Sequence, residues 1–501
     1  MDRARQKKIR NIRVIATNIF MSISVVAIVF VLMLIAMGFS FNENGGFEQS
    51  GLLQLASHPS GASVEIDGQS QFGHTEFSKM LSSADHKVRV TKDGYDSWSN
   101  DVKIDGGLLT RIEWARLFPN NPEINNASGY KELRLAQFSS DRKWLITIEK
   151  EGDELVRSNI QGDRLKNNRL KLSEILKVGG EQILSGDLNI LGWNENCSKI
   201  LLTWTNNETT SWYLVDLEHA ENSINLTKQF KHSFTDILIA NDSASKLWAV
   251  ADGNLYRIDI SENKISDAIA SKIETIANNN DVVAFSNVET IAQEEGKADK
   301  TERHINIYKD GEESFTTIAK LAINQKLSGI TMDTYWNEEW VAYSYDKELR
   351  VLSGKYPSYG KNDNNTLKNT LERDLDFAPS LISRGGKGNV IVFVGGQKMT
   401  SYDIETKRYY DTDLGIKISK INWIDNFLLW ENVDNNIVVR DFDGSNRRSV
   451  AKQANPALPV LISENNRWLY YFEMPTESVE EAEDGTKTTS ITINLKREKL
   501  Q

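Results

Sequence analysis

The sequence has no charged residue between Val14 and Phe41, a stretch of 28 residues near its start. About 20 apolar residues in a helix cross the hydrocarbon core of a membrane, so this stretch is long enough even when it is tilted. No later segment is comparably apolar. The absence of charge therefore predicts a single transmembrane helix at residues 14–41.

Basic side chains flank the apolar stretch on its N-terminal side only. They are Arg3, Arg5, Lys7, Lys8, Arg10 and Arg13. Because basic flanks stay in the cytoplasm, we expect residues 1–13 to be a cytoplasmic tail, residues 42–50 a spacer, and the remainder to lie outside the cell membrane. The alternative is a cleaved signal peptide ending near Ala36-Met37-Gly38, although the apolar core of such a signal normally has only about 7–15 residues.

Cysteine is almost absent, because Cys197 is the single one. The count excludes a disulfide within the chain, and the position excludes a lipoprotein signal, which needs a cysteine at the end of the apolar segment. Exported proteins without disulfides are ordinary in bacteria and unusual in the eukaryotic secretory pathway. We therefore expect a bacterial protein of the cell envelope.

An excess of positive charge is absent beyond the N-terminal tail. The chain has a net charge of −11, and its first 13 residues contain six basic and one acidic side chain, which leaves −16 on the rest. An acidic surface repels phosphate backbones and anionic lipid headgroups. Nucleic acid is therefore not an expected partner, and the exported part should not lie flat on the membrane.

Alternating apolar residues after the spacer predict a small β domain at residues 51–118. Val64 and Ile66 alternate with polar neighbours, as do Val88 and Val90, which is the pattern of a sheet with one buried face. Turn-forming residues separate the strands. They are Pro59-Ser60-Gly61-Ala62, Asp67-Gly68 and Lys92-Asp93-Gly94-Tyr95.

This region resembles the PEGA domain, a small β-sandwich-like module of bacterial and archaeal surface proteins. The matching segments are residues 59–62 with 64–68, residues 73–75, and residues 86–95. Glu76 stands where the family usually has proline, and Ala84-Asp85 stands where it usually has a proline-glycine turn, so we expect those two loops to be reshaped. The resemblance implies a structural or adhesive module outside the cytoplasm that has no catalytic residues.

From residue 119 onward the sequence repeats one phrase, in which a polar turn is followed by apolar residues at strand spacing. The copies begin at Phe138, Trp193, Asn241, Val282, Trp336, Val390, Trp423 and Ser463. An interval of about 40 to 55 residues suits the four-stranded blade of a propeller. We therefore expect residues 119–501 to form a seven- or eight-bladed β-propeller, in a chain that is all-β apart from one N-terminal helix. An array of two-sheet sandwiches is the alternative.

The repeated phrase resembles propellers of the WD40-like and TolB-like type. The closest matches are Phe138-Ser139-Ser140-Asp141 and Asp443-Gly444-Ser445-Asn446. Charged runs between Phe285 and His304, and between Glu473 and Thr489, interrupt the repeats, and we expect mobile loops there.

Catalytic motifs are absent from the sequence. No Gly-x-Ser-x-Gly elbow occurs, and Gly385-Gly386-Lys387-Gly388 precedes a strand and is followed by Asn389, which excludes a phosphate loop. Ser243 and Lys246 have the spacing of a nucleophile and its lysine, but they lie in a blade turn without companion motifs. We predict no enzyme activity, no catalytic residue and no cofactor.

Candidate metal ligands fit no ligand motif. They are His58, His74 and His86 for zinc or copper, and Asp441, Asp443, Glu480 and Glu481 for calcium. The spacing of the histidines suits no compact zinc or copper site, and the acidic residues lack the spacing of a calcium loop. We interpret the histidines as polar turn residues and the acidic residues as parts of solvated turns, so we predict no metal site.

Several tryptophans suggest carbohydrate binding, since flat apolar rings stack on sugars. They are Trp144, Trp204, Trp248, Trp340 and Trp468. Each occupies a strand position, where a large ring is expected to pack between blades, so we interpret them as core residues.

Taken together, the sequence predicts a single-pass membrane protein whose propeller binds a protein, a peptide or a cell-wall glycan of the envelope through its loops. One alternative is an envelope enzyme of the lyase or glycosidase type, with an active site at the channel of the propeller. A purely structural envelope component is the other.

Overall fold

The computed structural model describes residues 2–36, 38–41, 47–177, 184–291, 299–360, 366–453, 455–481 and 487–501. The chain divides into two compact units, Met1–Asn120 and Asn121–Gln501. The first long helix is followed almost entirely by antiparallel strands, which confirms the predicted fold class. One-turn helices interrupt the strands at Leu172–Leu176, Ala220–Asn222 and Leu226–Phe230.

The first unit begins with a helix, Asp2–Ala36, whose apolar part Arg13–Leu34 is exposed and is long enough to cross a membrane. The prediction that the helix continues to residue 41 is wrong. Gly38 adopts a φ of +80°, a left-handed conformation that glycine commonly takes where a helix ends. After it, Phe39–Phe41 forms a short strand that pairs with Phe47–Gln49.

Two sheets then form a β-sandwich. The first sheet has three strands in the order Phe77–Leu81, Gly51–His58 and Leu109–Arg116. The second sheet has four strands in the order Gln69–His74, Ser63–Ile66, Asp85–Thr91 and Trp98–Lys103. Alternation places Leu53, Val64, Val88 and Trp98 between the sheets, where all four side chains are buried.

The described residues of the second unit form eight sheets, six with four strands and two with five, which we number as blades 1 to 8 along the chain. From the inner to the outer strand, blades 1 to 4 are as follows: blade 1, Leu133–Phe138, Trp144–Glu149, Glu154–Asn159 and Lys166–Lys171; blade 2, Asp187–Trp193, Lys199–Asn206, Thr209–Asp216 and Ile224–Asn225; blade 3, Phe234–Ile239, Lys246–Ala251, Asn254–Asp259 and Lys264–Ile265, with Ala270–Ser271 as an additional strand; blade 4, Ile273–Asn279, Val282–Ile291, Lys300–Lys309 and Thr316–Ala322.

The other half of the ring has the same order of strands. Blades 5 to 8 are as follows: blade 5, Leu327–Tyr335, Glu338–Tyr345, Glu348–Gly354 and Lys368–Asp374; blade 6, Leu381–Arg384, Val390–Gly395, Lys398–Asp403 and Arg408–Asp413; blade 7, Asn422–Trp423, Leu428–Val433, Asn436–Asp441 and Arg448–Lys452; blade 8, Leu461–Ile462, Trp468–Phe472, Lys487–Lys499 and Ile124–Tyr130, with Thr476–Glu481 also paired to Lys487–Lys499.

Blade 8 closes the ring, because its outermost strand, Ile124–Tyr130, comes from the start of the unit and its other strands come from the end. It packs against blade 1 through a buried cluster that includes Tyr130, Phe138, Trp468 and Tyr470. The described residues thus form a closed propeller with eight blades, the higher of the two predicted numbers. Each of the eight sequence phrases begins at the junction between the first and second strands of a different blade.

A shared hydrogen bond explains the repeated phrase. In four blades, a polar side chain before the first turn accepts the backbone N–H of the residue five positions later. The pairs are Ser139 with Trp144 at 2.9 Å, Asn194 with Lys199 at 2.7 Å, Asn241 with Lys246 at 3.2 Å, and Ser463 with Trp468 at 3.0 Å. A Ser or Asn side chain that accepts a backbone hydrogen bond from a nearby residue favours a turn over a regular strand. The inner strand of each of these four blades therefore ends at its Ser or Asn residue.

The prediction of two mobile loops is wrong where the structure describes these runs, which are largely strands, whereas residues 292–298 and 482–486 lie outside the described residues. The strand ladder of blade 4 continues as far as the pair of Ile291 with Lys300, well into the first charged run. Likewise, Thr476–Glu481 pairs with the long third strand of blade 8 inside the second run. Charged side chains are compatible with a long hairpin, because only its backbone has to be paired.

Candidate functional site

A cavity of about 620 Å³ opens between blades 5 and 6. Its walls come from the first turn of blade 5, from the two ends of the connection between the third and fourth strands of that blade, and from the turn after the third strand of blade 6. The lining residues are Tyr335, Trp336, Asn337, Glu338, Ser353, Gly354, Lys355, Thr366, Lys368, Ile404 and Glu405. The cavity is therefore built by turns and by the ends of the strands beside them.

Trp336 is the most unusual residue of this cavity. It lies in a two-residue turn between the paired residues Tyr335 and Glu338, it has a φ of +53°, and its side chain is 74% exposed. Asn280 occupies the same position in the first turn of blade 4, with a φ of +51°. Asparagine tolerates this left-handed conformation, whereas a bulky side chain rarely adopts it. Blade 5 thus holds a large apolar ring in solvent at a backbone position that disfavours it, which is typical of functional sites.

The wall beside Trp336 is fixed by contacts between the two blades. The Tyr335 hydroxyl donates a hydrogen bond to Glu405 Oε2 at 2.5 Å, and the Lys407 ammonium lies 2.7 Å from Glu338 Oε2. Burial, and then the hydrogen bond to Glu405, raise the pKa of Tyr335, so the hydroxyl stays protonated. The rings of Tyr335 and Trp336 meet edge to face, with 6.3 Å between their centroids. The aromatic pair is therefore positioned before any ligand arrives.

The chemistry of the cavity suits binding. An exposed indole offers a flat apolar surface, and the charged residues Glu338, Glu405, Lys355 and Lys368 line the same space. A ligand with an apolar face and polar edges, such as a sugar or a peptide, matches this combination. In the described part of the chain, no group of three or more His, Cys, Asp or Glu residues is placed to hold a metal ion.

The three histidines considered as metal ligands lie in the first unit. His86 is a strand residue with a structural partner, because its Nδ1 lies 2.7 Å from Asp67 Oδ2 and its Nε2 lies 3.0 Å from the Ser82 carbonyl oxygen. Burial alone would lower the pKa of His86, but the hydrogen bonds to Asp67 and Ser82 outweigh it and raise the pKa. The interpretation as a polar turn residue is therefore wrong for His86, which binds its own strand to the turns that contain Asp67 and Ser82. His58 and His74 end the strands Gly51–His58 and Gln69–His74.

The acidic residues considered for calcium serve the turns that contain them. Asp441 is buried, and its Oδ2 accepts hydrogen bonds from Asn446 at 2.8 Å and Ser445 at 3.3 Å. The expectation of a solvated turn is thus wrong for Asp441, because its carboxylate satisfies the donors of the turn below the surface. Asp443 Oδ1 accepts the Ser445 backbone N–H at 2.9 Å. The side chains of Glu480 and Glu481 lie outside the described residues.

The remaining sequence candidates lie in blade turns. The Lys246 ammonium binds Asp310 Oδ2 at 3.0 Å on blade 4, and the Ser243 hydroxyl donates to Ser245 Oγ at 3.0 Å. Each side chain of the candidate pair thus has another partner. In the glycine-rich segment, the Gly388 N–H donates to the Gly385 carbonyl at 2.9 Å, which closes a turn between the first two strands of blade 6.

The structure separates the core tryptophans from the exposed one. Trp204, Trp248, Trp340 and Trp468 are buried. Trp144 is only half-buried, and the Arg157 guanidinium lies 3.8 Å from its ring centroid. The sequence did not single out Trp336 as a site residue, because its place in a two-residue turn follows only from the pairing of Tyr335 with Glu338.

A second polar cluster was also missed, because its segment was interpreted as a mobile loop. His304 is buried on the third strand of blade 4, with Nδ1 3.0 Å from Glu289 Oε2 and Nε2 3.4 Å from Glu302 Oε2. Nearby, the Asn306 amide donates to Asn287 Oδ1 at 2.8 Å. These contacts satisfy the polar groups within the blade, so the cluster has a structural explanation.

Comparison with known proteins identifies the first unit. Residues 50–115 match the PEGA domain family. No curated protein matches the chain. Among solved structures, the chain is similar to AztD from Citrobacter koseri, with 11% identity over 79% of this chain and 96% of that one and a TM-score of 0.39. It is also similar to Hsv2 from Kluyveromyces lactis, with 12% identity, coverage of 73% and 98% and a TM-score of 0.36. For dipeptidyl peptidase 4 from Porphyromonas gingivalis, the identity is 10%, the coverage 73% and 64%, and the TM-score 0.45.

These structural similarities are too low to carry an argument about function. The family match and the closed ring of eight sheets nevertheless define the architecture. The chain is a protein with a PEGA domain followed by a β-propeller.

Proposed function

We propose that this protein is a membrane-anchored binding protein of the bacterial cell envelope, without enzyme activity, whose propeller holds a protein, peptide or glycan partner outside the cytoplasm. The N-terminal helix acts as the anchor, and the PEGA domain spaces the propeller from it. The cavity between blades 5 and 6 is the binding site.

The anchor is supported by the helix and its flanks. Arg13–Leu34 is apolar and exposed along its whole length, which is expected of a helix that lipid surrounds. Basic residues precede it and none follows directly, which favours a cytoplasmic N-terminus. Added protease should therefore digest the propeller in cells whose outermost barrier has been opened, and protection of the propeller would contradict this orientation.

The binding role is carried by the conformation of Trp336. The ring is exposed, its backbone is in a region that tryptophan rarely adopts, and the equivalent residue of blade 4 is asparagine. Since asparagine would suit the same backbone better, stability alone does not account for the tryptophan. A contribution to ligand binding does account for it.

The test is a matched pair of substitutions in the full-length protein held in lipid nanodiscs. Trp336→Asn replaces the exposed ring by the residue of the equivalent turn, and Phe72→Asn removes an exposed aromatic ring from the PEGA domain. Binding to purified cell-wall sacculi and to solubilised envelope proteins is measured by co-sedimentation and capture. We expect Trp336→Asn to weaken binding by about tenfold or more, as for an aromatic hot spot, and Phe72→Asn to leave it unchanged.

Thermal unfolding of the same proteins separates binding from folding. Trp336→Asn should unfold at the same temperature as the wild type or slightly above it, because asparagine tolerates a positive φ. Unchanged binding by this variant would contradict the proposed site. Consumption of sacculi by the wild-type protein would support the enzyme alternative instead.

A further inference from the structure

A row of apolar side chains crosses the outer face of the three-stranded sheet in the PEGA domain. Leu52 on the middle strand is paired with Met80 on one neighbouring strand and with Leu109 on the other. Paired residues point to the same face, and Leu53, the next residue along, points into the core. Met80 is 48% exposed and Leu109 is 41% exposed. The row therefore presents apolar surface on the face away from the core.

The next row on this face is polar. Gln54 is paired with Ser78 and with Arg111, one step further along the same three strands. The sheet is mixed, with Gly51–His58 antiparallel to Phe77–Leu81 and parallel to Leu109–Arg116. A sheet face that contacts water is normally polar along its whole length. Because the Gln54 row is polar and the neighbouring Leu52 row is apolar, the apolar end of this face is expected to contact something other than water.

The apolar end adjoins the end of the N-terminal helix. The Gly38 carbonyl, two residues beyond Ala36, accepts a hydrogen bond from the Ser50 N–H at 2.8 Å. The Met80 Cε atom lies 3.2 Å from the point where a Cβ on Gly38 would be. The turn that contains Leu108 lies beside Leu52 in the apolar row, because the Leu108 carbonyl accepts the Leu52 N–H at 2.9 Å. Leu108 itself is 60% exposed.

We propose that Leu52, Met80, Leu108 and Leu109 enter the boundary between headgroups and acyl chains in the outer leaflet of the membrane. The inference rests on the proposed anchor, since side chains beside the end of a spanning helix lie at the depth of this boundary. Exposed apolar side chains gain from the transfer to lipid, and Arg111 in the next row reaches the level of the lipid phosphates. The contact holds the PEGA domain against the membrane at one corner, whereas the acidic surface elsewhere stays away from it.

The test measures the depth of two neighbouring positions in the full-length protein. Cys197 is replaced by serine, and a nitroxide spin label is attached either at Met80→Cys or at Ser78→Cys, which lie on the same strand and the same face. The proteins are reconstituted in vesicles of phosphatidylcholine with phosphatidylglycerol. Collision of the label with oxygen, which concentrates in lipid, and with a nickel chelate, which stays in water, reports its surroundings. Resistance to carbonate extraction is measured in the same samples to show that the anchor is inserted.

We expect the ratio of oxygen to nickel collisions to be roughly threefold higher or more at position 80 than at position 78, because only the apolar row reaches lipid. Equal ratios in carbonate-resistant protein would overturn the inference and leave the anchor intact. Low collision rates with both reagents at position 80 would also overturn it, since they indicate cover by protein, for example a second copy of this chain. Release by carbonate would show that the anchor itself is wrong.

Discussion

Glu498 provides a test of the propeller that depends on pH. It lies on the third strand of blade 8, paired with Leu469 on one side and Ile124 on the other, and its side chain is buried at 2% exposure. Among the described residues, its Oε2 atom has no hydrogen-bond partner. Burial without compensation raises the pKa of Glu498 from 4.5 to about 7. The folded protein therefore keeps this carboxyl protonated at a pH where the unfolded chain has already lost the proton.

The sign and size of the effect follow from this difference. The unfolded chain releases the proton near pH 4.5 and the folded protein near pH 7. The protonated carboxyl therefore adds its full contribution to the free energy of unfolding below pH 4.5, and this contribution is lost as the pH rises through 7. One pKa unit corresponds to about 1.4 kcal/mol, so the full difference is worth about 3 kcal/mol of unfolding free energy. Glutamine has nearly the same shape and does not titrate, so Glu498→Gln should abolish the dependence.

Urea unfolding followed by tryptophan fluorescence measures the prediction, because ten of the 12 tryptophans lie in the propeller. At about pH 5 the wild type and Glu498→Gln should be similarly stable, and at about pH 8 the wild type should be the less stable protein by about 3 kcal/mol. Glu473→Gln serves as the control, since Glu473 is more exposed and pairs with Lys496 at 3.0 Å. A stability difference between wild type and Glu498→Gln that is the same at both pH values would refute the reasoning.

Three further predictions concern buried groups in other blades. Arg440 and Glu431 form a buried ion pair in blade 7. Arg440→Met should lower the free energy of unfolding by about 3 kcal/mol, because it leaves the buried Glu431 carboxylate with only the more exposed Arg447, whose Nε lies 3.4 Å from Oε1. Adding Glu431→Leu should restore most of that loss in urea unfolding. Asn194 is buried, accepts the N–H at the end of its turn and donates to the Asp242 carbonyl of blade 3 at 2.9 Å. Asn194→Ala should therefore lower the free energy of unfolding, measured by calorimetry, by about 1–3 kcal/mol. The loss should be larger than for Asn196→Ala, at the exposed side of the same turn. Burial raises the pKa of the Cys197 thiol, so it should react with a thiol reagent only at urea concentrations that unfold the propeller, and rapid labelling of the native protein would contradict this.

The propeller could be predicted because its repeated signal is local. Ser139 and Ser463 each accept an N–H only five residues further along, so the residues that make the turn are also the residues that mark it in the sequence. The turn fixes where the inner strand ends and the second strand begins. Counting these turns limited the prediction to seven or eight blades. The pairing of Ile124–Tyr130 with the last strand completes the eighth blade, and no sequence turn indicates that pairing.

The long hairpin of blade 4 could not be predicted from composition. Its outer part pairs Glu289 with Glu302 and Thr290 with Thr301, and such residues give no apolar pattern. The backbone ladder and the contacts of His304 with the two glutamates hold this part together. Both depend on residues of two different strands that meet only in the folded protein. The local composition shows a polar segment and therefore does not predict a strand.

The repeat that predicted the propeller did not predict the candidate site. Trp336-Asn337-Glu338 reads like Trp193-Asn194-Glu195, and in blade 2 Trp193 ends the inner strand while Asn194 closes the turn. By analogy Trp336 should also end a strand and pack against the blade. In blade 5, however, Tyr335 pairs directly with Glu338, so the turn is only two residues long and Trp336 falls inside it. Side chains alternate between the two faces of a strand, but a residue inside a turn is not held against either face. The shorter turn of blade 5 therefore places Trp336 in solvent, whereas Trp193 remains in its strand. Register is decided by the pairing of two strands, which is why the motif predicted the blade correctly and did not indicate the exposed tryptophan.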